Sequence, residues 1–241
     1  LSAVFGDDGN FDYDKTVEAL KKLEFKYGLR VGNRSKSVNL YSDDITAITD
    51  TLPEGMEFVK VIESDSTMSY VYHTNVTTNP NDDNADIQWQ WKNSDSGNGN
   101  YRIYGDVNGS TVTFSVQKVN TANGETVWVD EPWYLYSKGG RDSYIQIVYT
   151  TKLTDTKAAQ IATMLQRQYA EGSDLVSVTL TNTGKFESKN DVLIDGKPGK
   201  VATDTADLTL KQVIKKTAPG LTKAAYTDFK ACLLYTSDAA D

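Results

Sequence analysis

The tightest constraint on this chain is a two-residue hydrophobic period that returns in run after run. In the stretch 23–31, Leu23, Phe25, Tyr27, Leu29 and Val31 fall on one side of an extended backbone. Val112, Phe114 and Val116 repeat the pattern in 111–119, and the runs 143–153 and 175–181 follow it. Polar turn signals separate them: Pro53-Glu54-Gly55, Asn79 to Asn84, Asn108-Gly109, Asn123-Gly124 and Gly139-Gly140. Asn108-Gly109 reads as a hairpin tip. Many half-buried strands joined by short turns predict an all-β chain built as a β-sandwich. A single segment breaks the rhythm. From Asp155 to Glu171 the apolar residues Ala158, Ile161, Leu165 and Tyr169 recur at helical spacing, with Thr154 or Asp155 as cap and Gly172 as stop.

The 241 residues suffice for one large β domain with a substantial core. A net charge of −8 argues against nucleic acid or an anionic membrane as partner. No run approaches the roughly 18 apolar residues of a membrane span. The single cysteine, Cys232, excludes a disulfide framework or a cysteine metal site. The chain starts without Met or a signal peptide and reads as a fragment. Its expected organisation is a β domain over 1–195, a linker and truncated second β module over 196–231, and an artefactual tail over 232–241. The second module rests on Lys216-Thr217 and Ala225-Tyr226-Thr227, which echo Lys15-Thr16 and Lys26-Tyr27-Gly28.

Four phrases in order resemble the collagen-binding-type (Cna-like) domain of Gram-positive cell-wall adhesins. They are Asp44-Ile-Thr-Ala-Ile-Thr-Asp50, Asp50-Thr-Leu-Pro-Glu-Gly-Met56, the run from Tyr144 to Asp155 before the helix, and Val178-Thr-Leu-Thr-Asn182. The resemblance spans about Phe11 to Phe186. It implies an Ig-like sandwich variant with one helix near its C-terminal end, on an extracellular, cell-wall-associated protein. It also implies a self-formed isopeptide bond: Lys15 gives the amine, Asn182 the carboxamide and Asp50 the catalytic carboxyl. The chemistry needs burial. Desolvation favours a neutral, nucleophilic lysine and a protonated aspartic acid able to polarise the amide carbonyl. Tyr13, Phe25 and Tyr27 are the aromatic neighbours expected to exclude water. Such a cross-link would stabilise the chain by about 5 kcal/mol on the chain-entropy model.

Other features carry less. His73 is the sole histidine and has no nucleophile motif around it, so it reads as a strand residue. Asp82-Asp83-Asn84-Ala85-Asp86 lacks the glycine and terminal glutamate of a calcium loop and reads as a solvated loop. No metal and no cofactor is expected. Trp89, Trp91 and Trp133 are candidate ligand-binding aromatics, although alternation in Gln88-Trp89-Gln90-Trp91 equally suits a core face. The expectation is therefore an adhesin domain without enzymatic turnover, apart from forming its own bond, that binds a host extracellular-matrix protein or another surface ligand. Collagen is one candidate. A stalk or pilus-shaft domain without a ligand, or a carbohydrate-binding module, are the alternatives.

Overall fold

The computed structural model describes residues 4–33, 45–62, 70–74, 87–92, 101–133, 143–171, 175–194 and 197–213. In chain order the elements are α1 (Tyr13–Lys21), β1 (Glu24–Asn33), β2 (Ile45–Thr51), β3 (Met56–Val61), β4 (Tyr70–Thr74) and β5 (Ile87–Lys92). Then follow β6 (Tyr101–Asn108), β7 (Thr111–Ala122), β8 (Glu125–Glu131), β9 (Ser143–Leu153), α2 (Asp155–Glu171), β10 (Leu175–Ile194) and β11 (Lys197–Val213). The chain is mostly β, in two antiparallel sheets. One runs β1-β9-β4-β5 with β3 also on β9; the other runs β11-β10-β2-β7-β6 with β8 on β7.

The period-two residues face each other across these sheets. Phe25, Tyr27, Ile147 and Tyr149 from the first meet Ile48, Val112, Phe114 and Leu180 from the second in one buried cluster. Phe114 and Tyr149 approach to 5.3 Å between ring centroids, which joins the two layers directly. Hairpin geometry follows the turn residues. Gly109 (φ 63°) joins β6 to β7, and Asn123 and Gly124 (φ 55° and 81°) join β7 to β8. His73 lies in β4, as a strand residue.

The helix α2 runs as its periodicity predicts, with Ala158, Ile161, Ala162 and Leu165 buried. Thr154 caps it, its Oγ1 accepting from the Lys157 backbone N–H at 3.2 Å. A second helix, α1, departs from the expectation that a single helical segment interrupts the β rhythm. Asp12 explains it: its carboxylate accepts the Lys15 backbone N–H at 3.0 Å and caps the first turn. Thr16 and Leu20, four apart, bury the inner side of α1. Tyr13 donates to the Ala159 carbonyl at 3.3 Å, and Lys21 pairs with Asp155 at 3.3 Å, so the two helices pack as a unit.

The boundary expected at 195/196 is not where the sheet ends. β11 is hydrogen-bonded along β10 from Ile194–Lys197 to Leu175–Val213, and Leu208 and Leu210 enter the common core. Residues 197–213 thus complete the second sheet. The remainder of the expected second module and the tail, 214–241, lie outside the described residues, as does the Asp82–Asp86 loop.

Candidate functional site

β2 and β10 run side by side, with Asp50 opposite Gly184 and Thr51 opposite Thr183. Their inward residues alternate through Ile48, Asp50 and Leu52 on one strand and Leu180, Asn182 and Phe186 on the other. All are buried, Asp50 completely. The pattern that makes an apolar face therefore carries two polar side chains into the core at adjacent positions. The Asn182 carboxamide nitrogen donates to Asp50 Oδ2 at 3.0 Å and to the Tyr149 hydroxyl at 2.9 Å. Tyr149 comes from the opposite sheet and is itself fully buried. Tyr27 stacks on it at 5.8 Å and sends its hydroxyl toward Met56 Sδ at 3.5 Å.

Gly184 shapes the wall. A Cβ there would lie 2.5 Å from Leu29 Cδ2 and 3.8 Å from Asp50 Oδ2. Glycine thus lets Leu29 of β1 close over the carboxyl group. In this dry setting burial pushes the Asp50 carboxyl up to about 7, against the opposing effect of its bonds to Tyr149 and Asn182. Burial, with the Asp50 charge next, drives the Tyr149 phenol well above its ordinary value. Asp50 Oδ1 and Asn182 Oδ1 have no hydrogen-bond partner. The result is a carboxylic acid that exchanges its proton near neutrality, beside an amide whose carbonyl oxygen is unengaged.

The nucleophile expected for it is elsewhere. Lys15 sits on α1 with its side chain 66% exposed and its Nζ 3.1 Å from Asp12 Oδ2. The bond to Asp12 holds its amine protonated, with the pKa raised. Lys15 therefore does not join Asp50 and Asn182, because the helix that Asp12 nucleates turns its amine to water. Among the described residues no lysine is one of the groups that act on Asp50. The sequence trio thus separates into a buried pair and a surface ion pair. Of the aromatics expected to shield the site, Phe25 and Tyr27 are buried beside it, whereas Tyr13 packs on α2.

Trp133 is 6% exposed and belongs to the core, which corrects its assignment as a ligand contact. Trp89 and Trp91 lie in β5 opposite Tyr72 and Val71, with side chains outside the described set. Among the described side chains, the surface tryptophan is Trp128 of β8, at 36% exposure, with the Arg102 guanidinium 4.4 Å from its ring. Tyr149, on the inward register of the alternating strand β9, joins the pair although no motif in the sequence marks it. Among the described residues no group of three or more His, Cys, Asp or Glu could hold a metal, and no helix is long and apolar enough to cross a membrane.

No family model matches this chain, and neither the curated proteins nor the solved structures compared with it give a match.

Proposed function

We propose that this chain is an Ig-like module of an extracellular, cell-wall-associated surface protein, acting as an adhesin domain for a host-matrix or other surface ligand. The Asp50–Asn182 pair is read as the acid and amide of an isopeptide centre. The observation that carries this reading is their contact at 3.0 Å, buried between two sheets and with both Oδ1 atoms unengaged. In the reaction a neutral lysine Nζ attacks Asn182 Cγ, protonated Asp50 polarises the carbonyl, and the Nδ2 leaves as ammonia with the protons Asp50 relays. The exposed, Asp12-paired amine of Lys15 makes a lysine other than Lys15 the expected nucleophile.

Intact mass decides it. The purified chain is expected to weigh one ammonia less than its composition, with the loss abolished in Asp50→Ala and Asn182→Ala and retained in Lys15→Ala. A folded chain of full mass overturns the cross-link and leaves Asp50–Asn182 as a polar pin between sheets. A stalk role is the second reading, favoured by the same pair, since a tie between layers serves a spacer as well as a binder. It has no ligand, so saturable binding of an extracellular-matrix protein to the purified chain would exclude it.

A further inference from the structure

The strand β8 is exposed on both of its faces, except at its last residue. At its centre Val127, Trp128 and Val129 are 47%, 36% and 42% exposed. The strand register explains this. β6 accompanies β7 only as far as Lys118, opposite Tyr101, so the rest of β7 and most of β8 run on past β6 as a two-stranded ribbon. Such a ribbon is marginal in water, and a third strand is the ordinary remedy. Val127 and Val129 share a face, yet across the ribbon they meet Asn120 and Lys118. Apolar neighbours for them have to come from the other side.

The backbone is turned to that side. Asn123 and Gly124, with φ of 55° and 81°, close a tight turn in which Ala122 and Glu125 pair by mutual hydrogen bonds. Alternation then commits Glu125, Val127, Val129 and Glu131 to β7 and points the amides of Thr126, Trp128 and Asp130 outward. Among the described residues no strand pairs with that edge. Its charges are acidic and terminal: Glu125 at one end, Asp130 and Glu131 at the other, none between. The cations that reach β8, Lys118 opposite Val129 and Arg102 over the Trp128 ring, come from the strands on its other side. A second copy of β8 laid antiparallel about Trp128 would set Glu125 against Glu131, and a parallel copy in register would set each acid against itself. Both are repulsive.

We propose that the free edge of β8 binds an extended peptide with basic ends and β-branched or aromatic residues between them. The peptide adds to the ribbon as an antiparallel third strand. Its basic side chains lie opposite Glu125, Asp130 and Glu131, its apolar ones cover Val127 and Val129, and its backbone bonds the outward amides of Thr126, Trp128 and Asp130. The surface uses no residue of the Asp50–Asn182 centre, so either reading stands if the other fails.

The test is amide hydrogen exchange of the whole chain, read by nuclear magnetic resonance, with the peptide Lys-Lys-Val-Tyr-Val-Thr-Lys and its counterpart carrying Glu for each Lys. The basic peptide is expected to slow exchange at Thr126, Trp128 and Asp130. At low salt it should bind about tenfold more tightly than the acidic one, a margin that shrinks as salt is raised. Thr126→Pro removes an outward N–H that β7 does not use, so it should weaken the basic peptide about tenfold without lowering the melting temperature. The double variant Glu125→Gln, Glu131→Gln keeps the backbone intact and should weaken it severalfold, which decides the matter if the proline variant unfolds. Equal binding of the two peptides overturns the charge selection. No binding, or protection at other amides, overturns the edge. Protection of these three amides without peptide, growing with chain concentration, gives the edge to a second copy and overturns the peptide partner.

Discussion

Asn182 of one sheet donates to the hydroxyl of Tyr149 in the other at 2.9 Å, while its second amide proton holds Asp50 on the neighbouring strand. A polar bridge of this kind inside an apolar core fixes how the layers sit on each other, because sliding either sheet strands buried polar atoms. Tyr149→Phe removes the acceptor and leaves one amide proton unpaired. The expected cost is about 1–3 kcal/mol in chemical denaturation. The same variant should raise the Asp50 titration midpoint further, since its bond with Tyr149 is among the influences lowering it. An unchanged midpoint by carboxyl-carbon resonance would contradict the coupling.

Asp50 sets a pH dependence of definite sign. Burial pushes its folded-state value up to about 7, above the ordinary carboxyl value of 3.8. Below that ordinary value both states are protonated and nothing is lost. Between the two values the unfolded chain releases a proton that the folded chain keeps, so stability falls as pH rises, and it levels off above about 7. Asp50→Asn removes the ionisation, and at pH 8 it should be more stable than the parent by up to about 4 kcal/mol. Denaturant midpoints at pH 4 and pH 8 for both chains provide the check, and a parent flat across that range would refute it.

Gly184 is a matter of space, not of backbone conformation. Gly184→Ala pushes a methyl against Leu29 and is expected to cost about 1–3 kcal/mol. Adding Leu29→Ala should recover part of that loss, so the double mutant would be more stable than the sum of the single changes. Strict additivity would show that the two side chains do not compete.

At the start of the chain, the cap and the cation should behave differently. Asp12→Ala removes the acceptor of the Lys15 backbone N–H and should lower the melting temperature. Lys15→Ala, at an exposed position, should leave it nearly unchanged. Equal effects would mean that the side-chain ion pair, rather than the cap, holds the first turn.

Removal of everything after residue 195 tests the fold directly. Without β11, Leu208 and Leu210 leave the core and β10 loses a ladder along most of its length. The shortened chain should fail to give the cooperative unfolding of the parent. A truncated chain with unchanged melting would restore 1–195 as a complete domain.

Much of the fold was legible in the sequence because its signal is local. Alternation at Phe25, Tyr27, Val112 and Phe114 predicts which face turns inward, and Asn108-Gly109 predicts a tip. The helix at 155–171 announces itself through Ala158, Ile161 and Leu165. Other parts depend on tertiary partners. The short helix at 13–21 has a cap in Asp12, but its buried stripe is only Thr16 and Leu20, and their value depends on α2 lying alongside. Asp50 and Asn182 were paired only by the resemblance, and they do meet. The place of Lys15 was not legible, since the Asp12-capped helix that carries it sets its amine against Asp12 at the surface. Strand partnership was hidden for the same reason: nothing local in Leu208-Thr209-Leu210 says whether it ends one sheet or starts another.

The long hairpin of β10 and β11 leaves β11 at the margin of its sheet among the described residues. Its exposed residues Lys197, Lys200, Asp204, Asp207 and Lys211 stud that margin with charges of both signs. A second copy arriving in antiparallel register would have to align these charges favourably and bury them without water. The cost discourages edge-to-edge self-association, so crowded copies of this module should remain separate particles.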